Sequence, residues 1–480
     1  MMRNIPRAVW IIIGIAFFVR LALFGSAVWF LGEESLLVSD APRFYKIADA
    51  LVAGHGFTLG EPPFEPSAFF PPLFLSFLAG SLWASGSFVP AVLVHVILGS
   101  LLPLVVWGIA GRFTEDRRVR TIAAALAAFE PQMILWSIVP TTEMLAGFTM
   151  AASLYFFLRL RESGASRDAI FSAVFLGFST LTRPHGQFVF LIFVAILFCS
   201  VLLSWKRPEA GLWAMGAVRK RMLPVFLFAV SFFLILSPWL IRNYYYFGTA
   251  SVATTGLRNV YSDFAVSVIT VATGTEFGDV RQELLGGIAE RYGVSVKEVR
   301  EDPRWGSVLA QEGFRIIREH PKEATVVLVV AGQAFFTQDL YTSYLGHFRV
   351  IPDRNLTFNP LVTIFTKGFG EFYRMAREHL GPYFAIPIVG RMFWLAVFFA
   401  WIGGAAVAVL RGGKERAAAL VFVVLIGYYA TTSMVGAFSD QGRLRYPVNS
   451  LMFILSSFSC VIGYDWIKRR RARVIKGLSV

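Results

Sequence analysis

Long apolar blocks recur along the chain at roughly 8–31, 88–111, 121–138, 143–159, 169–183, 186–205, 223–241, 391–410, 417–437 and 447–466. A helix needs about 20 such residues to cross the hydrocarbon core of a bilayer. Blocks of that length, repeated this often, leave one architecture: an all-α polytopic membrane protein with about ten transmembrane helices, within a range of roughly 9–13. Composition agrees. Of the 480 residues, 56% are hydrophobic and 16% charged, against about 25% charged in ordinary soluble domains. A soluble enzyme, a disordered protein and a disulfide scaffold are all excluded, the last also because Cys199 and Cys460 both sit inside apolar runs.

The charge of +14 comes from 45 Lys and Arg against 31 Asp and Glu. It is gathered in short clusters between the apolar blocks, so it reads as membrane topology and not as a nucleic-acid surface. The clusters are Arg112/Arg117/Arg118/Arg120, Arg159/Arg161/Arg167, Lys206/Arg207/Arg219/Lys220/Arg221, Arg411/Lys414/Arg416 and the tail from Lys468 to Lys476. A ten-span arrangement with both termini cytoplasmic puts every cluster on the cytoplasmic side. Residues 1–241 then form an N-terminal membrane module whose first outer loop is 32–87. An extracytoplasmic helical region covers 242–390, and 391–480 holds the last helices with a basic tail. The first block is too long for a typical signal sequence and is read as a retained span. Two shorter apolar segments are expected at the outer face as amphipathic helices, Pro71–Ser85 lying flat or re-entrant and Ala324–Phe336 interfacial. Asp302-Pro303 should open a helix that ends at Pro321.

Several charged residues fall at the outer ends of the spans. Asp40 follows the first span and either caps the helix begun by Pro42 or serves as a general base at the membrane surface. Glu143, after Pro140-Thr141-Thr142, either caps the fourth span or takes part in the chemistry. Glu130-Pro131 suits a cavity wall or a kink. Arg43, Arg183, Arg242, Arg443 and Arg445 lie against the positive-inside bias. They either snorkel toward headgroups or form a phosphate pocket, with Arg43, Arg242 and Arg445 expected to share one cavity. The histidines have no metal-binding spacing, and no phosphate loop or dinucleotide fingerprint is present.

In order, Asp40 with Arg43 and Tyr45, Pro71-Pro72-Leu73, Glu143, Thr182-Arg183-Pro184, Pro238-Trp239 with Arg242-Asn243, and Arg445-Tyr446-Pro447 form a series along the chain. The series resembles the membrane glycosyltransferases of the C superfamily (GT-C), in the branch of protein O-mannosyltransferases and lipid A aminoarabinose transferases. The resemblance implies a GT-C-type fold and an inverting transfer of a sugar from a polyprenyl-phosphate donor to a hydroxyl on a lipid, glycan or protein. That transfer would take place at the extracytoplasmic face of the cell membrane. It implies Asp40 as catalytic base and Glu143 as its helper in positioning the acceptor, with Arg43, Tyr45, Arg183, Arg242, Arg443, Arg445 and Tyr446 binding substrate or phosphate. It implies no required cofactor, leaves a divalent metal open but unsupported by any ligand set, and implies no nucleic-acid partner. Two departures stand out: Ala41 replaces an acidic residue common after the catalytic Asp, and Phe69-Phe70 replaces a Glu-Lys before the Pro-Pro-Leu. A flippase for a lipid-linked sugar, or a surface-polysaccharide polymerase or ligase, would share the arginines.

Overall fold

The computed structural model describes residues 5–205, 214–350, 363–364, 367–438 and 440–477. Lys206 and Arg207 lie outside the described residues. Every apolar block is helical, and no strand occurs among the described residues. The N-terminal half contains α1 (Arg7–Leu31), α2 (Ala41–Val52), α3 (Pro72–Ser85), α4 (Val89–Phe113), α5 (Arg117–Phe129), α6 (Pro131–Leu135), α7 (Thr142–Ser163), α8 (Ser166–Thr182), α9 (Gly186–Trp205) and α10 (Ala214–Phe247). A layer of shorter helices follows: α11 (Thr255–Asn259), α12 (Val266–Thr273), α13 (Phe277–Tyr292), α14 (Val296–Glu301), α15 (Gly306–Glu319), α16 (Pro321–Thr337), α17 (Thr342–His347) and α18 (Phe369–Leu380). The chain returns to the bundle through α19 (Ala385–Arg411), α20 (Gly413–Met434), α21 (Gln441–Leu444) and α22 (Tyr446–Gly477).

Among the described residues, seven helical stretches are long and apolar enough to cross a membrane. Their lipid-facing sides show it directly: Phe18 on α1, Leu191 and Phe198 on α9, Phe226 and Leu234 on α10, and Phe399 on α19 are all exposed, a pattern that water would penalise and lipid tails accommodate. The exposed Trp29, Trp83 and Tyr244–Tyr246 mark one end of the bundle and Trp10, Tyr464 and Trp466 the other, where aromatic rings favour the boundary between lipid and water. Arg112, Arg159, Arg161 and Arg411 all fall at the second of these ends. Asp40, Glu143, Arg183, Arg242 and Arg443 all fall at the first.

The third expected span is not one helix. A single crossing over 121–138 is replaced by α5 and the short α6, with Glu130 between them. Pro131 has no N–H to continue the helix, and the Glu130 carboxylate caps α6 by accepting from the Met133 N–H at 2.9 Å. The carbonyls left open at the break are met by Arg20, which the sequence reading passed over. It lies fully buried within α1 and donates to Ala128 O at 2.8 Å, Met133 O at 3.4 Å and Ser137 Oγ at 3.0 Å. A Cβ at Gly99 would stand 2.9 Å from the Arg20 Nε, so α4 can approach this guanidinium only because residue 99 has no side chain.

The two short apolar segments are helices as expected. α3 packs on α2, α4 and α8, and α16 on α19, α20 and α21. The layer of short helices has its own core, built by Tyr261, Phe264, Leu285, Ile288, Leu309 and Ile316. Asp302 does initiate locally, accepting from the Arg304 N–H at 2.9 Å. A single turn of 3-10 helix precedes α15, and Pro321 opens α16.

The C-terminal helix is gripped by α19 and α5. At the crossing of α19 and α22 a Cβ on Gly404 would lie 2.0 Å from Leu455 O. Gly404→Val should therefore separate the two helices and lower the thermal midpoint, by about 1–3 kcal/mol in overpacking cost. Gly427→Val on α20, where nothing lies within 4 Å, should leave it unchanged. Thermal unfolding in detergent or nanodiscs distinguishes them.

Candidate active site

Between the bundle and the layer of short helices lies a cavity of about 1980 Å³. Asp40, Arg43, Arg183, Asp440 and Arg443 line it at the bundle end. Asp40 stands at the N-cap position of α2, yet its side chain makes no cap hydrogen bond. It pairs instead with Arg443, Nη2 to Oδ2 at 2.7 Å. The same guanidinium donates through Nη1 to Ser39 Oγ at 2.7 Å and through Nε to Glu143. Ser39 holds a left-handed φ of 57°, a conformation that costs a residue with a Cβ about 1–3 kcal/mol and that here accompanies the contact with Arg443.

Glu143 is 0% exposed and does not line the cavity. Its Oε1 accepts from Arg443 and, at 2.8 Å, from Arg183 Nη1. A carboxylate buried this deeply is tolerated only when paired, and two guanidinium groups pair it. Glu143 thus does not cap α7, whose N-cap is Thr141, and it sits behind the cavity wall. It orients two arginines, and through Arg443 it orients Asp40. The side chain of Asp40 is 47% exposed, that of Arg443 9%, so the carboxylate meets the cavity while its partner is held behind it.

Arg443 keeps its proton firmly. Burial alone would lower its pKa, but the Glu143 and Asp40 carboxylates together hold it above the usual arginine range. Asp440, one turn earlier, opens on the same cavity. It is exposed to the cavity, and the desolvating walls around it push its carboxyl up, against the pull of Arg443. The sequence reading missed Asp440, although Asp440-Gln441-Gly442-Arg443 carries two opposite charges next to a span.

The cavity does not collect Arg43, Arg242 and Arg445. Arg43 lines it, with Phe69 and Phe70 against the guanidinium at 4.5 and 5.1 Å; Phe69-Phe70, one of the departures from the family pattern, is thus part of the cavity wall. Arg242 lies off it. It donates to Ser67 O at 2.8 Å and Phe57 O at 3.0 Å and stacks on Trp239, pinning the loop that links α2 to α3 onto α10. Arg445 is 0% exposed and points the other way. It donates to Phe335 O, to Gln338 O at 2.8 Å and to Asn449 Oδ1 at 2.9 Å, with Trp394 against its face. These carbonyls belong to the end of α16, which has no further helix turn to satisfy them. Tyr45 packs edge-on to Phe88, and Tyr446 is buried with its hydroxyl 3.2 Å from Met144 Sδ. Neither lines the cavity.

The break at Glu130 serves the cavity as well. Tyr341 donates to Glu130 Oε1 at 3.2 Å, Tyr344 to Pro131 O, and Gln132 to Asp339 O. The segment so held carries Gln338, Asp339 and Leu340 into the cavity wall, with Leu340 at a left-handed φ of 53°. Among the described residues, no group of three or more His, Cys, Asp and Glu side chains is arranged to hold a metal ion.

Residues 70–240 match the sequence model of the dolichyl-phosphate-mannose-protein mannosyltransferase family. The match covers Glu143 and Arg183 and begins beyond Asp40. With the all-helical membrane fold, that match agrees with the superfamily expected from the sequence, the GT-C membrane glycosyltransferases. Among solved structures, the apo oligosaccharyltransferase of Archaeoglobus fulgidus aligns with a TM-score of 0.49 at 16% identity, over 97% of this chain and 51% of that one. The oligosaccharyltransferase AglB of the same organism, in complex with an inhibitory peptide and a dolichol-phosphate, gives 0.45 at 16% identity, over 89% and 47%. The chain spans about half the length of these proteins. No curated protein sequence matches it.

Two substitutions test the assignments above. Glu143→Gln takes the carboxylate from Arg183 and leaves Arg443 with Asp40 alone, and should cost about 3–5 kcal/mol of stability. Arg445→Met should also destabilise, by about 1–3 kcal/mol for each carbonyl left unpaired. Thermal unfolding in nanodiscs reads both losses.

Proposed function

We propose that this protein transfers a sugar from a polyprenyl-phosphate donor to an acceptor hydroxyl with inversion at the anomeric carbon, in the cavity above α2 and α7. The observation that carries the proposal is the chain of contacts Asp40–Arg443–Glu143–Arg183. It ties a cavity-facing carboxylate outside the family-matched segment to the two charged residues inside it.

The chemistry follows from what each group has left to offer. A phosphate ester at the anomeric carbon is already a good leaving group, so the protein must align donor and acceptor, remove a proton and stabilise the departing charge. Asp40 accepts the proton of the acceptor hydroxyl as its oxygen attacks the anomeric carbon. The bond from that carbon to the phosphate oxygen breaks, and polyprenyl phosphate leaves with the electron pair. Arg443 has three of its five N–H groups committed to Ser39, Asp40 and Glu143, so it positions the base. Arg43 and Arg183 present guanidinium groups at the cavity wall and take the phosphate, whose oxygens suit the guanidinium fork. The site end of the bundle faces the extracytoplasmic side in this reading, and the basic end faces the cytoplasm.

Asp40→Asn should abolish transfer with folding and abundance intact. Asn caps helices as well as Asp, so near-normal turnover in that variant would overturn the assignment. Arg43→Gln should weaken farnesyl phosphate binding by about 10- to 150-fold, the worth of one charge-assisted bond. A cysteine placed at Asp279, which is exposed on α13, should react with an impermeant maleimide on intact cells; protection until lysis would reverse the orientation.

A further inference from the structure

The cavity is about 1980 Å³, roughly twice the upper end of the 300–1,000 Å³ usual for a single small-molecule ligand. The Asp40 cluster accounts for only one part of its wall. Another part comes from α11 to α13, where Asn259, Asp263, Thr270, Thr275, Phe277 and Arg281 face the cavity. Here the backbone leaves the α-helical pattern: Val260–Ala265 is a π-helical turn, a distortion that is rare and concentrated at functional sites. Arg281 locks it from the next helix, donating to Ser262 O at 3.0 and 2.9 Å and pairing with Asp263 Oδ1 at 2.5 Å. The Phe277 ring lies 4.7 Å from the same guanidinium. About two turns beyond Asp263 on the same wall, Thr270, 9% exposed, has a buried hydroxyl with no hydrogen-bond partner. Proteins avoid that arrangement unless something else supplies the bond.

We infer that this wall is the subsite for a glycosyl residue of the acceptor, held by Asp263, Thr270 and Arg281 against Phe277. The inference rests on the transferase reading above. The Asp263–Arg281 pair is neutral overall, so it suits an uncharged ligand better than a phosphate. A carboxylate next to a guanidinium accepts from and donates to neighbouring hydroxyls, the pattern a sugar ring presents, and an aromatic face covers its C–H edge. A peptide acceptor is disfavoured because α11, the π turn and α12 spend their backbone N–H and C=O groups internally and offer no edge for an extended chain.

The test uses the full-length protein in lipid nanodiscs, saturated with farnesyl phosphate, and a panel of methyl hexosides and methyl pentosides read by saturation-transfer NMR. At least one glycoside should bind alongside farnesyl phosphate. Asp263→Asn and Thr270→Val should each weaken it about tenfold or more and leave farnesyl phosphate affinity unchanged. Thr270→Val removes a buried, partnerless hydroxyl, so its thermal midpoint should hold or rise; lost glycoside binding in a protein of undiminished stability separates recognition from folding. Wild-type glycoside affinity in both variants would overturn the inference. So would binding of a Ser/Thr peptide, and of no glycoside, with the same sensitivity to these two changes. Failure of the wild type to bind farnesyl phosphate would instead undercut the donor reading, so the two failures are distinguishable.

Discussion

A single carboxylate holds the working end of this protein together. Glu143 is fully buried at the start of α7, where burying an isolated charge costs far more than a fold can spare. It is tolerable only with cations against it, and Arg183 and Arg443 come from distant parts of the chain to provide them. Bringing Arg443 there places α21 over α7. Arg443 then has donors to spare, and they fix Ser39 and Asp40. The first loop, the middle of the bundle and the approach to the last helix thus meet through one oxygen atom. The same arrangement leaves Asp40 far more open to the cavity than Arg443, whose side chain is largely buried behind it.

The break between α5 and α6 follows similar logic in neutral form. Interrupting a helix inside a bundle exposes carbonyls that lipid cannot satisfy. Arg20 bonds those at the break, while Glu130 and Pro131 accept from Tyr341 and Tyr344 and the Gln132 amide donates to Asp339 O. A discontinuity that looks like a defect is therefore the seat on which one wall of the cavity rests.

The blocks of apolar residues could be read without a structure because hydropathy is local and additive, and for the same reason α3 and α16 were legible as short helices. Asp40, Glu143, Arg183 and Arg443 could be nominated from their places at span ends. Their pairing could not, since it depends on how α7, α8 and α21 pack. Arg443 and Arg445 make the point sharply. They have the same side chain two positions apart, yet one faces the carboxylates and the other the carbonyls at the end of α16. No local pattern distinguishes them, because the turn at α21 and the start of α22 decide the direction. Asp263 and Arg281 were invisible for a different reason. They sit in ordinary amphipathic sequence, and only the π turn and the cavity beside it single them out.

Arg20 has a consequence for how the protein is made. When α1 enters the bilayer, its guanidinium carries an insertion cost of about 2.5–3.5 kcal/mol at the middle of a helix, and its partner Ala128 lies 108 residues further along the chain. At a synthesis rate of about 5–20 residues per second, the first helix waits on the order of 5–20 seconds with that charge unmatched. It must shelter meanwhile beside the insertion machinery or against early-arriving helices. Recruitment of α5 and α6 then ends the wait. The residue that seals the broken helix in the mature protein also keeps the first helix from drifting away from the growing chain.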